Sequence, residues 1–173
     1  FYWSGESKLM LSIIKFVEDL KNAEDDTAQG VQVILLVEDS PKYYSLFLPG
    51  IYTEIMLQTR NLVADGVNPL HRLLRMRARP KILLAESFEE AQNILESFRH
   101  NLLGIITDLK FPMGGILQKD SGFRLAEMAK KAIPDLPILV QSSEGGWEGE
   151  YNQRLATFLN KNSPNLLLEL RSF

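Results

Sequence analysis

Short apolar runs alternate along this chain with longer segments whose apolar residues recur every three or four positions. The short runs are typical of fully buried strands in a parallel sheet, and the longer segments predict amphipathic helices. Because a parallel crossover needs a dozen or more residues and is usually helical, the alternation predicts an α/β domain with a flavodoxin-like, doubly wound sheet of five parallel strands. The predicted strands are residues 31–37, 81–85, 103–108, 138–141 and 156–159.

Cap residues and apolar spacing place the helices between these strands. Proline is favoured at the first helical position, so we predict a long helix from Pro41 towards Asn61, with a kink or break where Pro49 removes a backbone hydrogen bond. Ser121 is expected to cap a later helix that reaches Ile133. The other predicted helices are 87–98, which begins with a capping box, and 163–170, while residues 113–120 are predicted to be a loop without a clear pattern.

An additional amphipathic helix is predicted before the first strand. From Lys8 to Leu20 the apolar residues fall on one side of a helix, and this stripe suits docking or dimerisation because the polar face lacks the basic character of a membrane-surface helix. Residues 22–30 are polar and acidic and end in glycine, so they are predicted to be a linker or exposed turn. The chain is therefore predicted to consist of an N-terminal helix and linker, residues 1–30, and a main domain, residues 31–173.

Composition narrows the functional classes. The chain has 173 residues and a net charge of -3, which lacks the electrostatic footprint of a nucleic-acid-binding protein, although residues 71–79 are locally basic. No apolar run approaches the roughly 20 residues of a membrane-spanning helix. The chain has no cysteine, which excludes cysteine catalysis and fits a cytosolic origin. We expect a cytoplasmic protein without membrane or direct nucleic-acid contact. The opening residues lead us to expect that the sequence is a piece of a longer chain.

Charged and hydroxyl residues stand where the apolar runs end. Glu38 and Asp39 follow the first run, and Asp108 ends the third. The carboxyl ends of parallel strands share one edge, where ligands bind in open α/β sheets, so three carboxylates are predicted to meet there. Such a cluster favours a divalent cation with oxygen ligands, such as Mg²⁺. A carboxylate beside this ion can attack phosphorus, and Ser142 and Lys161 would supply a hydroxyl and an ammonium for the phosphoryl oxygens.

Taken together, these residues resemble the receiver domain of two-component response regulators, over residues 31–173. The resemblance rests on the order of the acidic pair, Asp108, Pro112, Gly122, Pro137, Ser142 and Lys161. It implies that Asp108 accepts a phosphoryl group from a histidine kinase or a phosphotransfer protein.

The same resemblance implies roles for the residues around Asp108. Ser142 would be the switch hydroxyl, Phe158 the aromatic side chain whose rotamer changes with it, and Lys161 the cation that pairs with the phosphoryl group. The implied Mg²⁺ ligands are Glu38, Asp39, Asp108 and the backbone carbonyl of Lys110.

Some features depart from the usual receiver pattern. Asn162 follows Lys161 where the family usually has proline, the loop between Pro112 and Gly122 is long, and the crossover of residues 41–80 is longer still. This long basic crossover resembles that of receivers at the front of some phosphoenolpyruvate synthase-like multidomain proteins. The first segment looks like the tail of a preceding receiver-like domain.

Two alternative functions stay open on the sequence. A pseudo-receiver would keep the fold and act only as a docking or dimerisation module. A magnesium-dependent phosphohydrolase of the haloacid dehalogenase type also uses an aspartate after a strand, but it has a second acid two residues later, where this chain has Lys110. We therefore expect a signalling switch and not an enzyme, with a second copy or neighbouring domains of a larger chain as further partners.

Overall fold

Helices and strands alternate along the chain, as the apolar pattern predicts. This computed structural model describes residues 1–3, 5, 7–64, 79–143 and 155–163, with the backbone alone at 61–64. The helices are α1 (Ser7–Ala28), α2 (Pro41–Ala64), α3 (Phe88–Ser97) and α4 (Ser121–Ala132). The strands are β1 (Val33–Val37), β2 (Lys81–Ala85), β3 (Leu102–Asp108), β4 (Phe111–Met113), β5 (Ile116–Gln118), β6 (Ile138–Ser142) and β7 (Thr157–Asn160).

Five of the described strands form one parallel sheet in the order β2-β1-β3-β6-β7. The chain moves outward from β1 to β2 and then returns across β1 to β3, which is the flavodoxin-like, doubly wound order. The predicted fold class is confirmed. Each of the five predicted strands is present, with its bounds shifted by at most two residues.

Alternate residues of the strands feed two separate cores. Ile105 and Ile138 are partners in register and pack in the core with α3 and α4. Ile106 and Leu139, one position further along, pack with α2 on the other face. This alternation also decides which side chains share a face where the strands end.

Helix α1 is longer than predicted. It begins at Ser7 and ends at Ala28, so the prediction that residues 22–30 form a linker or exposed turn is wrong for most of that segment. The polar segment stays helical because Ala23 is buried against the sheet and Asp26 forms a 2.6 Å ion pair with Lys81. The predicted domain boundary at residue 30 stays a prediction.

The sequence predicts a kink or break at Pro49, but helix α2 continues through this residue without a break. Proline in a helix interior costs about 3 kcal/mol. Residues on both sides of Pro49 are buried in the core, among them Phe47, Leu48, Ile51 and Tyr52. At about 1.5–3 kcal/mol for each buried large apolar side chain, their packing outweighs the lost hydrogen bond.

Residues 111–118 form a hairpin, so the prediction that residues 113–120 are a patternless loop is wrong for most of that segment. β4 and β5 pair antiparallel, joined by Gly114 and Gly115 at φ of 63° and 75°. A two-residue type I′ turn requires such positive φ angles and favours Gly-Gly, so this pair between apolar residues was the missed signal. Ser121 does not cap α4, because Asp120 holds the N-cap position and the Ser121 hydroxyl donates to the Phe111 carbonyl at 2.8 Å.

Within the described part of the chain, no helix is both long and apolar enough to cross a membrane. Most of the predicted helix at 163–170 and most of the basic segment 71–79 lie outside the described residues.

Candidate functional site

Three carboxylates meet at the carboxyl edge of the sheet, where the strand order reverses. Glu38 and Asp39 directly follow β1 and Asp108 ends β3, and the preceding residues Val37 and Thr107 are partners in register. Glu38, Asp39 and Asp108 each offer an oxygen within 4.8 Å of the others. Glu38 is buried, whereas Asp39 and Asp108 are half-buried. The structure thus brings together the three acids that the strand ends predict to be neighbours.

The ammonium of Lys161 lies between two of these carboxylates. Its Nζ is 2.8 Å from Asp108 Oδ2 and donates to Glu38 Oε2 at 2.5 Å. The Lys161 side chain is almost fully buried, so these ion pairs offset the cost of removing an ammonium from water. The ring of Tyr43 lies 4.5 Å from Nζ and adds a cation–π attraction. No pattern in the sequence pointed to Tyr43, since no spacing rule connects the first turn of α2 with Lys161.

Backbone amides orient the same two carboxylates. Asp108 Oδ1 accepts a hydrogen bond from the Leu109 amide at 2.7 Å, and Glu38 Oε1 accepts one from the Ser40 amide at 3.2 Å. Each carboxylate therefore turns one oxygen to the backbone and the other to Lys161. This arrangement limits the orientations available to the carboxylate of Asp108 before any ligand binds.

Burial raises the pKa of two of the three acids, Glu38 and Asp39. Burial raises the pKa of Glu38 to about 7; Lys161 opposes this rise and the charge of Asp108 adds to it. Burial, followed by the charge of Asp108, also raises the pKa of Asp39. A cation among the three carboxylates would counter both effects, because it favours the ionised forms.

The residues present fit a magnesium ion. Magnesium prefers oxygen ligands and takes one or two protein carboxylates while keeping several waters. Glu38, Asp39 and Asp108 offer such oxygens within a span that one ion can bridge. Lys110, whose carbonyl the resemblance implies as a further ligand, lies in the turn two residues beyond Asp108.

The two predicted switch residues follow the alternation towards the other face of the sheet. Phe158 is the register partner of Val140 and packs on Phe123 in the core with α3 and α4, with ring centroids 5.5 Å apart. Ser142 is two residues beyond Val140 and ends β6, where it is buried. Its carbonyl accepts a 2.9 Å hydrogen bond from the Lys161 amide. The backbone thus joins the predicted hydroxyl switch to the predicted phosphate-pairing cation.

Asn162 stands where the receiver family usually has proline. Its Nδ2 donates to the Ser143 carbonyl at 3.0 Å, and its backbone amide donates to the Asn160 side chain at 2.9 Å. Asn162 therefore ties the end of β7 to the end of β6. The sequence marked this position only as a departure from the pattern.

Gly122 lets α4 approach the end of β3. A Cβ at this position would lie 2.3 Å from the Asp108 carbonyl oxygen and 3.0 Å from the Leu109 Cα. The Gly122 amide also donates to the Leu109 carbonyl at 3.0 Å. The close packing of α4 therefore fixes the backbone on which Asp108 sits.

Comparison with known proteins finds likeness among solved structures. No protein-family model and no curated protein matches the chain. The non-phosphorylated HemR receiver domain from Leptospira biflexa is 24% identical, with a TM-score of 0.50 over 82% of this chain and 90% of that one. Response regulator TrrA from Thermotoga maritima, in complex with Mg²⁺-BeF, is 20% identical with a TM-score of 0.48, over 82% of this chain and 96% of that one. The receiver domain of hybrid histidine kinase CckA is 27% identical with a TM-score of 0.42, over 80% of this chain and 94% of that one. The match to HemR shows that this chain has the fold of a receiver domain.

Proposed function

We propose that this chain is a phosphoacceptor receiver domain of a two-component phosphorelay, phosphorylated on Asp108 with Mg²⁺. The observation that carries the proposal is the position of Lys161, whose Nζ lies 2.8 Å from Asp108 inside a cluster of three carboxylates. A structural ion pair needs one acid, whereas phosphoryl transfer needs an acceptor carboxylate, ligands for a metal ion and a cation for the phosphoryl oxygens.

The transfer step needs a nucleophile that is already oriented. An Asp108 carboxylate oxygen forms a bond to the phosphorus of a phosphohistidine on a histidine kinase or phosphotransfer protein. The N–P bond breaks, and its electron pair stays on the imidazole nitrogen. The Leu109 amide and Lys161 hold the carboxylate in place during this step. A magnesium ion held by Glu38, Asp39, Asp108 and the Lys110 carbonyl would supply positive charge that offsets the repulsion between these acids and the phosphoryl oxygens.

The product is an aspartyl phosphate whose added charge is available to a switch. Lys161 pairs with the phosphoryl oxygens, and the Ser142 hydroxyl turns towards them. The Lys161 amide donates a hydrogen bond to the Ser142 carbonyl. The carboxyl ends of β6 and β7 therefore respond together to the phosphoryl group. Phe158 lies on β7 and packs against the core with α3 and α4. Its side chain changes rotamer as the carboxyl ends of β6 and β7 rearrange. Such a switch would work in the cytoplasm and pass its signal to other domains of a larger chain.

Phosphorylation by a small-molecule donor tests the proposal. The chain is incubated with acetyl phosphate and Mg²⁺, and its intact mass is measured. We expect the gain of one phosphoryl group, which is lost when EDTA removes the metal and in Asp108→Asn. Asp120→Asn is the matched control, because Asp120 is a partly exposed aspartate paired with Arg124 at the start of α4.

The outcomes separate the proposal from its alternative. A wild-type chain that gains no mass would identify a pseudo-receiver that acts by docking or dimerisation. A mass gain that persists in Asp108→Asn would show that another residue is the acceptor.

A further inference from the structure

Gln141 is a buried polar residue at the candidate site that the proposed reaction does not use. It lies near the end of β6 with 1% of its surface exposed. Among the contacts of the described residues, its side-chain Nε2 has no hydrogen-bond partner. The residues that precede it in the strand, Leu139 and Val140, are buried and apolar, so an amide is chemically out of place here.

The register of the sheet places Gln141 beside Asp108. The two residues are partners across β3 and β6, and Gln141 is also the partner of Leu159 on β7. Partners in a parallel sheet point to the same face, and neighbouring strands lie about 4.8 Å apart. Leu159 belongs to the core with α2, so Asp108 and Gln141 share that face. The glutamine amide therefore lies within reach of groups attached to the Asp108 carboxylate.

An unpaired buried amide is costly in the unmodified protein. A buried donor without a partner keeps the full cost of its removal from water, and an apolar side chain of similar size would avoid this cost. Both Asp108 oxygens already have donors, namely the Leu109 amide and Lys161. A phosphoryl group on Asp108 would add three strong acceptor oxygens beside the free N–H.

We propose that Gln141 donates its side-chain amide to a phosphoryl oxygen carried by Asp108 and so stabilises the modified state. This inference rests on the proposed function and adds a residue that contacts the phosphoryl group at the same site. Ser142 and Lys161 supply a hydroxyl and a charge, whereas Gln141 supplies a neutral donor from the neighbouring strand. Its bond forms only when the acceptor arrives, so the residue favours the phosphorylated state over the unmodified one.

Two measurements with opposite expected signs test this role. Gln141→Leu and Gln141→Met replace the amide donor with an apolar side chain of similar size. Affinity for beryllofluoride in the presence of Mg²⁺, measured by titration calorimetry, is expected to fall roughly 10-fold to 150-fold, as for the loss of one hydrogen bond to a charged group. The stability of the unmodified chain to urea is expected to stay equal or to rise, because the variants remove an unpaired buried amide. Gln118→Leu, on the β4-β5 hairpin, is the matched control and should change neither measurement.

A purely structural role gives a different result. If both variants lower the stability of the unmodified chain, Gln141 already has a partner and the inference is overturned. Unchanged affinity for beryllofluoride, in a chain that acetyl phosphate does phosphorylate, overturns this inference and leaves the proposed function standing. A wild-type chain that neither binds beryllofluoride nor accepts a phosphoryl group removes both proposals.

Discussion

A buried ion-pair network joins α1 to the rest of the domain and leads to a quantitative prediction. Asp19 on α1 is fully buried and accepts hydrogen bonds from Arg79 at 2.5 and 3.0 Å. It also accepts bonds from the Tyr52 hydroxyl at 2.9 Å and the Ile82 amide at 3.0 Å. The Arg79 guanidinium lies 5.7 Å from the centre of the Tyr52 ring. One carboxylate therefore connects α1 with α2, with β2 and with Arg79, two residues before β2.

Asp19→Asn is expected to lower the free energy of unfolding by about 3–5 kcal/mol, the usual cost of leaving one partner of a buried ion pair uncompensated. The substitution keeps the shape of the side chain but removes the charge that balances Arg79. It also places an NH₂ donor among groups that are themselves donors. For a domain of this size, 1 kcal/mol changes Tm by about 2–4 °C, so a fall of roughly 6–20 °C is expected.

Urea unfolding followed by circular dichroism measures this loss, with Glu18→Gln as the matched control. Glu18 is the neighbouring residue on α1, but its side chain is 41% exposed and lies 3.9 Å from Arg79. Exposed ion pairs contribute about 0–1 kcal/mol, so the control should change stability little. Equal losses in Asp19→Asn and Glu18→Gln would refute the reasoning that a buried network holds α1 in place.

Two further predictions concern the site itself. Gly122→Ala is expected to cost about 1–3 kcal/mol or more, because its Cβ would meet the Asp108 carbonyl at 2.3 Å; urea unfolding measures the loss, and an unchanged stability would contradict it. The pKa of Glu38 is raised to about 7 from 4.5 for the unperturbed side chain. Between these two pH values the folded chain holds a proton on Glu38 that the unfolded chain has released. Stability from this proton is complete below pH 4.5 and is lost as pH rises to about 7, at up to about 1.4 kcal/mol per unit. Urea unfolding across this range should show the slope in the wild-type chain and lose it in Glu38→Gln, while a slope of equal size in the variant would assign it to other groups.

Local patterns were sufficient for the five strands of the parallel sheet and for the residues that stand at its carboxyl edge. Buried parallel strands are continuous apolar runs, so β1, β2, β3, β6 and β7 stood out against the polar segments around them. The residues that end these runs had to lie at one edge, because all parallel strands point the same way. Glu38, Asp39, Asp108 and Lys161 could therefore be selected without any structure, together with a preference for Mg²⁺.

Local patterns failed where packing opposed them. The acidic end of α1 was predicted to be a linker, but burial of Ala23 and the pair between Asp26 and Lys81 keep it helical. Pro49 predicted a kink or break in α2, but the core holds both halves of that helix and the helix is not broken. In each case a local preference of a few kcal/mol was outweighed by contacts with residues distant in the sequence.

The sequence by itself determined which residues stand at the carboxyl edge and therefore the chemistry that is proposed for Asp108. Only the tertiary structure decided how these residues are arranged: Lys161 between Glu38 and Asp108, Tyr43 over the ammonium, and Gln141 beside the proposed acceptor. The physical reason is that the identity of a strand end depends on nearby residues, whereas register and face depend on how distant strands pair. A shift of one residue in that pairing would turn the side chains of the shifted strand to the opposite face of the sheet.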